Sequence, residues 1–225
     1  MEIRLISTSP EYLKTIWFAA RTCYSSLSPV ELFEHDPPED EMLRIADRII
    51  SMKHLSVLEH CHMTYAVKDV SRTLLAQYSR HRIGVSLSVQ SQRWVSEQSS
   101  KNEGGIFDFI VPPEIKQNKL ARETLLNSMR KAQEDYDHLL SLGIKKEDAR
   151  FVLPGGSGTN FVTSLNLRSF FDVYQKRVLV SGAQWEIKQM LTMMADLLIK
   201  REPWLEKYLT SITAANGGIR SDKLD

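Results

Sequence analysis

Cysteine is nearly missing: Cys23 and Cys61 are the only two in 225 residues, too few for a disulfide framework. No apolar run approaches the roughly 18 residues that a membrane-spanning helix needs. The amino-terminal residues also lack the charged and apolar regions of a signal peptide. A reducing cytoplasm, with no membrane partner, is therefore the expected setting. Net charge is scarce as well, because 29 Lys and Arg stand against 28 Asp and Glu, leaving +1. So balanced a chain offers no broad polyanion surface, and any electrostatic function must come from local clustering. There is no internal repeat. What is present is an ordinary globular composition, 42% hydrophobic and 25% charged, in a chain long enough to bury a core unaided.

Residues 2–7 alternate polar and apolar, as an edge strand does. Pro10 opens a helix carrying Leu13, Trp17, Phe18 and Ala20. Asp36-Pro37-Pro38-Glu39 reads as the next helix start, with Asp36 as cap and Glu39 reaching back to it. Residues 57–67 have strand composition, and a helix follows through Leu74 and Tyr78 into Arg80. Residues 106–111 predict a short strand closed by Pro112-Pro113. One long helix is expected over 114–142, with Leu125, Met129, Ala132, Tyr136 and Leu139 on one stripe and Gly143 as its stop. Residues 154–160 predict a loop, and 183–203 a last helix with Met190 and Met194 in the core. The class is α/β (α+β), one domain over 1–216, with 217–225 as a flexible tail.

The densest chemical signal is the stretch 77–94. It holds Arg80, His81, Arg82 and Arg93 and no acidic residue, interleaved with serines and with Gln77, Gln90 and Gln92. Its guanidinium groups must meet carboxylates from elsewhere, solvent or an anionic ligand. The plain alternative is a solvated helix end followed by a polar loop.

Arg80-His81-Arg82 followed by Ser91-Gln92-Arg93 resembles the signature of the flavin-dependent thymidylate synthases, the thymidylate-synthase-complementing proteins. Four further landmarks agree in order: residues 53–60, Ala149-Arg150-Phe151-Val152-Leu153-Pro154, Asn166-Leu167-Arg168-Ser169, and Ala183-Gln184-Trp185-Glu186-Ile187. The resemblance spans about 17–206. It implies a central mixed sheet flanked by helices in a homotetramer with shared active sites, and conversion of dUMP to dTMP. Methylenetetrahydrofolate would be the carbon donor, FAD the redox carrier and NADPH the reductant; the flavin carries the reactive chemistry while the protein binds and orients. No metal and no nucleic acid are implied.

The resemblance assigns Gln77, Arg80, Ser91, Gln92, Arg93 and Arg150 to dUMP, together with Arg177. Ser56, Arg80, His81, Arg82, Ile83, Asn166, Arg168 and Asp172 would contact FAD. Arg177 matches the arginine set against the pyrimidine N3 and carbonyl, where a fixed cation stabilises negative charge on the ring. Two local expectations accompany these assignments. Gln77 and Arg80 would share a helical face, and Asn166 and Arg168 would share one face of an extended segment. This chain departs from the pattern in four places. The stretch 83–90 is one residue longer than usual, which a bulge would absorb. Ser88-Val89 replaces a more polar pair, and Asp172 stands where Asn is frequent. One extra residue also lies between Arg177 and Ala183.

Other clusters read more plainly. His54, His60, Cys61 and His62 lack a second pair at zinc spacing, and Gly155-Gly156-Ser157-Gly158 lacks the ending of a phosphate loop. Two alternatives stand beside the main reading. One is a flavin- and nucleotide-binding relative with altered methyl transfer; the other is a single-stranded nucleic-acid binder stacking bases on Arg80, Arg82, Arg93 and Trp94.

Overall fold

The computed structural model describes residues 1–209; the expected tail at 217–225 lies outside them. In chain order the elements are β1 (Glu2–Thr8), α1 (Tyr12–Tyr24), α2 (Pro29–Phe33), α3 (Glu39–Ser51), a 3-10 segment Leu55–His60, β2 (His62–Ser71), α4 (Arg72–Tyr78) and β3 (Val85–Val89). Then come α5 (Pro113–Gln117), α6 (Lys119–Ser141), α7 (Lys146–Ala149), β4 (Gly158–Asn166), α8 (Leu167–Val178), α9 (Trp185–Arg201) and α10 (Glu206–Leu209). The four strands make one sheet in the order β1-β2-β4-β3, antiparallel where a mixed sheet was expected; the α+β class holds.

Period-2 burial is clear in β2, where Met63, Tyr65 and Val67 are buried and their neighbours less so. Between β3 and β4 the Asn166 N–H donates to the Gly84 carbonyl and the Gln90 N–H to the Asn160 carbonyl, at 3.3 and 2.9 Å. The partners are equally spaced on both strands, 84 to 90 and 160 to 166, so no bulge interrupts this register. Residues 85–89, a polar loop in the plain alternative, form an edge strand, and β4 takes over residues 158–160 of the expected glycine loop.

The chain forms two compact units. One comprises Met1–Glu2, Ala66–Arg80 and Leu87–Val162. Its long helix is interrupted where Asn118, at φ −108°, accepts a hydrogen bond from the Ala121 N–H at 3.0 Å and so caps α6 separately from α5. The expected stripe buries Met129 and Tyr136, and Gly143 at φ 81° follows the helix end. Between them Gln133 is buried with both ends of its amide engaged. Its Oε1 accepts from the Phe107 N–H at 2.7 Å and its Nε2 donates to the Glu97 carbonyl at 2.9 Å. That is why the strand expected at 106–111 shrinks to a single bridge, Phe109 with Ser157: a side chain has taken a ladder hydrogen bond.

The other unit comprises Ile3–Tyr65, His81–Ser86 and the chain from Thr163 onward. Its core joins Ile16 and Trp17 of α1, Ala46 of α3, Phe170 and Tyr174 of α8, and Met190, Leu191, Met194 and Leu198 of α9. The two methionines are core residues, as expected, and the Tyr65 hydroxyl donates to the Met194 carbonyl at 3.0 Å. Asp36 does not cap a helix. Its carboxylate accepts from Lys14 at 3.0 Å, and α3 begins at Glu39 behind Pro38. Residues 57–60 of the expected strand belong instead to the 3-10 segment before β2, and α8 was not anticipated from the sequence.

Helix α1 has no acidic residue in its first turn and no side-chain cap of its own. Glu202 substitutes: its carboxylate accepts from the Tyr12 backbone N–H and from Trp204 Nε1, the latter at 2.8 Å. Burial pushes its carboxyl above the usual range. Glu202→Ala is expected to cost about 1 kcal/mol, as a lost cap does, seen as a lower urea midpoint. Glu202→Gln, which keeps an acceptor oxygen, should recover most of the loss.

Candidate active site

In the second unit the site residues hang on the point where β4 becomes α8. Asn166 ends the strand and caps the helix, its Oδ1 accepting from the Ser169 N–H at 2.8 Å. Asn166 and Arg168 are therefore not on one extended face, because Arg168 already lies in the helix. The Leu167 N–H donates to the Cys61 carbonyl at 2.8 Å, tying α8 to the segment holding Ser56 and Glu59. Glu59 then pairs with Arg168. Asp172, four residues on, shares Arg168's face but is engaged with Lys176 at 2.8 Å.

Opposite Asn166 stands Gly84, at φ 63°. A Cβ there would collide with Ser169 Oγ and the Asn166 amide, so the triplet's exit is compatible only with glycine. Beside it Ile83 is 91% exposed and Arg82 exposed, an apolar and a cationic side chain presented together. His81 is half-buried, and its Nε2 accepts a hydrogen bond from Arg177 Nε at 2.9 Å. An accepting Nε2 makes the imidazole neutral, with its proton on Nδ1. Arg177 lies about half a turn round α8 from Arg168, so the two arginines do not share a face.

In the first unit α4 stops at Tyr78, two residues short of expectation, and Arg80 lies beyond the helix, exposed. Gln77 and Arg80 thus do not share a helical face. The Gln77 Oε1 is buried with no hydrogen-bond partner. Ser91 opens a turn: its Oγ accepts from the Arg93 N–H at 3.2 Å, and its carbonyl accepts from the Trp94 and Val95 N–H groups at 3.1 and 2.8 Å. Gln92 is buried within it. Arg93 Nε pairs with the Glu147 carboxylate at 2.7 Å, while Arg150 Nε donates to the Glu147 carbonyl at 3.0 Å. One residue of α7 thereby engages both Arg93 and Arg150. Among the described residues no carboxylate pairs with Arg80 or Arg82.

Sequence reasoning missed the anchors Glu59, which lies inside a landmark, and Glu147, which lies two residues before one. Cys61 is buried and its thiol is pushed up to about 12 by burial and by Glu202, which keeps it protonated and unreactive. Among the described residues no three His, Cys, Asp or Glu side chains are grouped to hold a metal, and no helix is long and apolar enough to cross a membrane.

The site's arginines and amides stand on an α+β scaffold, and guanidinium groups of this kind suit phosphate-bearing ligands. The thymidylate synthase complementing protein family model matches residues 4–204. A flavin-dependent thymidylate synthase of Clostridium tetani is 31% identical, over 92% of this chain and 86% of its own. That of Geobacter sulfurreducens is 33% identical, over 88% and 82%. Thymidylate synthase X from Helicobacter pylori, solved with FAD and dUMP, superposes with a TM-score of 0.68 at 25% identity, over 93% of this chain and 96% of that one. The chain belongs to the thymidylate synthase complementing protein family, which bears out the resemblance carried by its five landmarks.

Gly84→Ala should force the β4–α8 junction apart. The expected cost is about 1–3 kcal/mol from the left-handed backbone alone, seen as a lower thermal midpoint; an unchanged midpoint would contradict the close approach.

Proposed function

We propose that the chain is an FAD-dependent thymidylate synthase that converts dUMP to dTMP, with methylenetetrahydrofolate as carbon donor and NADPH as reductant. The observation that carries this reading is the landmark's own donor set. Arg80 and Arg82 are exposed and lack a carboxylate among the described residues, in a family whose similar members are named for this reaction. Such cations fit a dinucleotide cofactor and a nucleotide monophosphate.

In this reading Ser56, Arg80, His81, Arg82, Ile83, Asn166, Arg168 and Asp172 hold FAD, which when bound supplies the two-electron redox chemistry. Gln77, Arg80, Ser91, Gln92, Arg93 and Arg150 hold dUMP. Arg177 acts on the pyrimidine. Its Nε is committed to His81, so the terminal nitrogens are the ones to meet N3 and the carbonyl oxygen. A neutral imidazole orients the guanidinium without cancelling its charge, which is the condition for stabilising an anionic ring and making C5 nucleophilic. Glu59 and Glu147 hold Arg168 and Arg93 in place until a phosphate competes for them. The chain would act as one domain over 1–216, as a cytoplasmic homotetramer with shared sites.

Formation of dTMP from dUMP, methylenetetrahydrofolate and NADPH by the FAD-loaded protein tests the reading. Arg177→Ala is expected to lower turnover about 100-fold or more, the scale of a lost electrostatic donor, while visible flavin absorbance survives. A colourless protein that neither takes up FAD nor responds to dUMP would sink the proposal. Flavin uptake without dTMP would favour a relative with altered methyl transfer.

A further inference from the structure

The long helix α6 lines a cleft that none of the assignments above uses. It lies wholly within the first unit and has a volume of about 290 Å³, the size of a site for a small molecule and not for a dinucleotide. On the helix side stand Arg130, Gln133, Glu134 and Asp137, spaced by threes and fours and therefore on one face. The opposite wall includes Ser99 and Ile106. Gln133 is buried and holds the Phe107 N–H and the Glu97 carbonyl; the other three helix residues bring charge.

Arg130 is exposed and makes no hydrogen bond or ion pair among the described residues. Glu134 is exposed too, and the ammonium nearest it, Lys131 at 4.0 Å, is engaged more closely with Asp135 at 2.7 Å. Asp137 accepts from the Ser99 N–H at 3.2 Å through one carboxylate oxygen. A phosphate would meet two carboxylates here. A bare metal ion would meet the guanidinium, and among the described residues no three His, Cys, Asp or Glu side chains are grouped to hold one. The cleft calls instead for a molecule that carries both signs. Two carboxylates against one guanidinium match a ligand with two ammonium groups and one carboxylate. Arg130 and Asp137 are seven residues apart, about 10 Å along the helix axis, so the outer charges of that ligand must sit at the ends of an extended chain.

We propose that this cleft binds a dibasic amino acid of the lysine type as an effector, its carboxylate on Arg130 and its two ammonium groups on Glu134 and Asp137. The same helix face holds the segment that follows the Ser91 turn. Gln133 Nε2 donates to the Glu97 carbonyl at 2.9 Å, the Tyr136 hydroxyl accepts from the Glu97 N–H at 3.4 Å, and Asp137 holds Ser99. Glu97 lies two residues past Val95, whose N–H closes the Ser91 turn. A ligand that bridges the cleft stiffens this segment, and a turn ordered in advance binds its own ligand more tightly. That coupling, unlike the site itself, rests on the thymidylate synthase reading.

Calorimetry on the full-length protein tests the site with L-lysine and with cadaverine, the same chain without its carboxylate. L-lysine is expected to bind about tenfold tighter or more, the scale of one charge-assisted contact. Arg130→Gln should abolish that preference and leave the thermal midpoint unchanged, because Arg130 is exposed and unpaired. Glu134→Gln should weaken both ligands. Wild-type protein that gives no saturable heat with L-lysine overturns the site, and so does a preference that survives Arg130→Gln. On the FAD-loaded protein, saturating L-lysine should tighten dUMP binding about fivefold or more, the low end of ordinary couplings between sites, and Arg130→Gln should remove the effect. An unchanged dUMP affinity with L-lysine bound overturns the effector role. Wild-type protein that ignores dUMP with and without L-lysine would instead defeat the thymidylate synthase reading, while the comparison with cadaverine still decides the site.

Discussion

Within the unit that carries Asn166, the change from strand to helix at that one residue is the constraint on which the rest depends. A strand that becomes a helix without an intervening loop leaves its first helical N–H groups exposed. Asn166 satisfies one with its side chain, and Leu167 gives its N–H to the Cys61 carbonyl. The second bond holds the 3-10 segment, and therefore Ser56 and Glu59, against the start of α8. The Asn166 N–H reaches across to the Gly84 carbonyl, which fixes where the Arg-His-Arg triplet leaves into β3. Arg168 and Arg177 then follow from helix geometry alone, on different sides of α8.

Three of the site arginines are each held by a modest anchor. Arg168 has Glu59, Arg93 has Glu147 and Arg177 has a neutral imidazole. The side chains of Arg168 and Arg93 are 51% and 58% exposed, and exposed ion pairs contribute about 0–1 kcal/mol. Exchanging such a carboxylate for a phosphate, with its charge and three acceptor oxygens, loses little and gains bidentate contact. Weak anchors therefore preorganise the cations without competing seriously with a ligand. The opposite arrangement, a fully buried Arg–carboxylate pair, would make every binding event break a desolvated contact.

Much of this was legible in the residues. Alternation gave away β1, the stripe on α6 marked Met129 and Tyr136, and the ordered landmarks pointed to the family. Two of the misread segments share a physical cause: a side chain from far along the chain engaged a group that local patterning assigns elsewhere. Gln133 occupies the Phe107 N–H, so the strand at 106–111 is reduced to one bridge. Lys14 engages Asp36, so the Asp-Pro-Pro-Glu box does not open α3. Asn118 caps for itself and cuts the long helix in two. Local propensity is blind to such partners, since the competing group lies 22 or 26 residues away in two of these cases. The site shows the same limit: the arginines could be found from their motif, but Glu59 and Glu147 acquire meaning only once the chain has folded.

Within a chain of net charge +1, Glu59 and Glu147 each set one site cation in place. His81 shows why an acid is not used everywhere. A carboxylate against Arg177 would fix its geometry equally well but would cancel the positive potential that a pyrimidine ring has to feel. An imidazole accepting through Nε2 supplies the orientation at no cost in charge. The nature of each anchor therefore follows the task of its arginine: carboxylates where the guanidinium has only to be kept in place for a phosphate that can displace them, and a neutral acceptor where the cation itself must act.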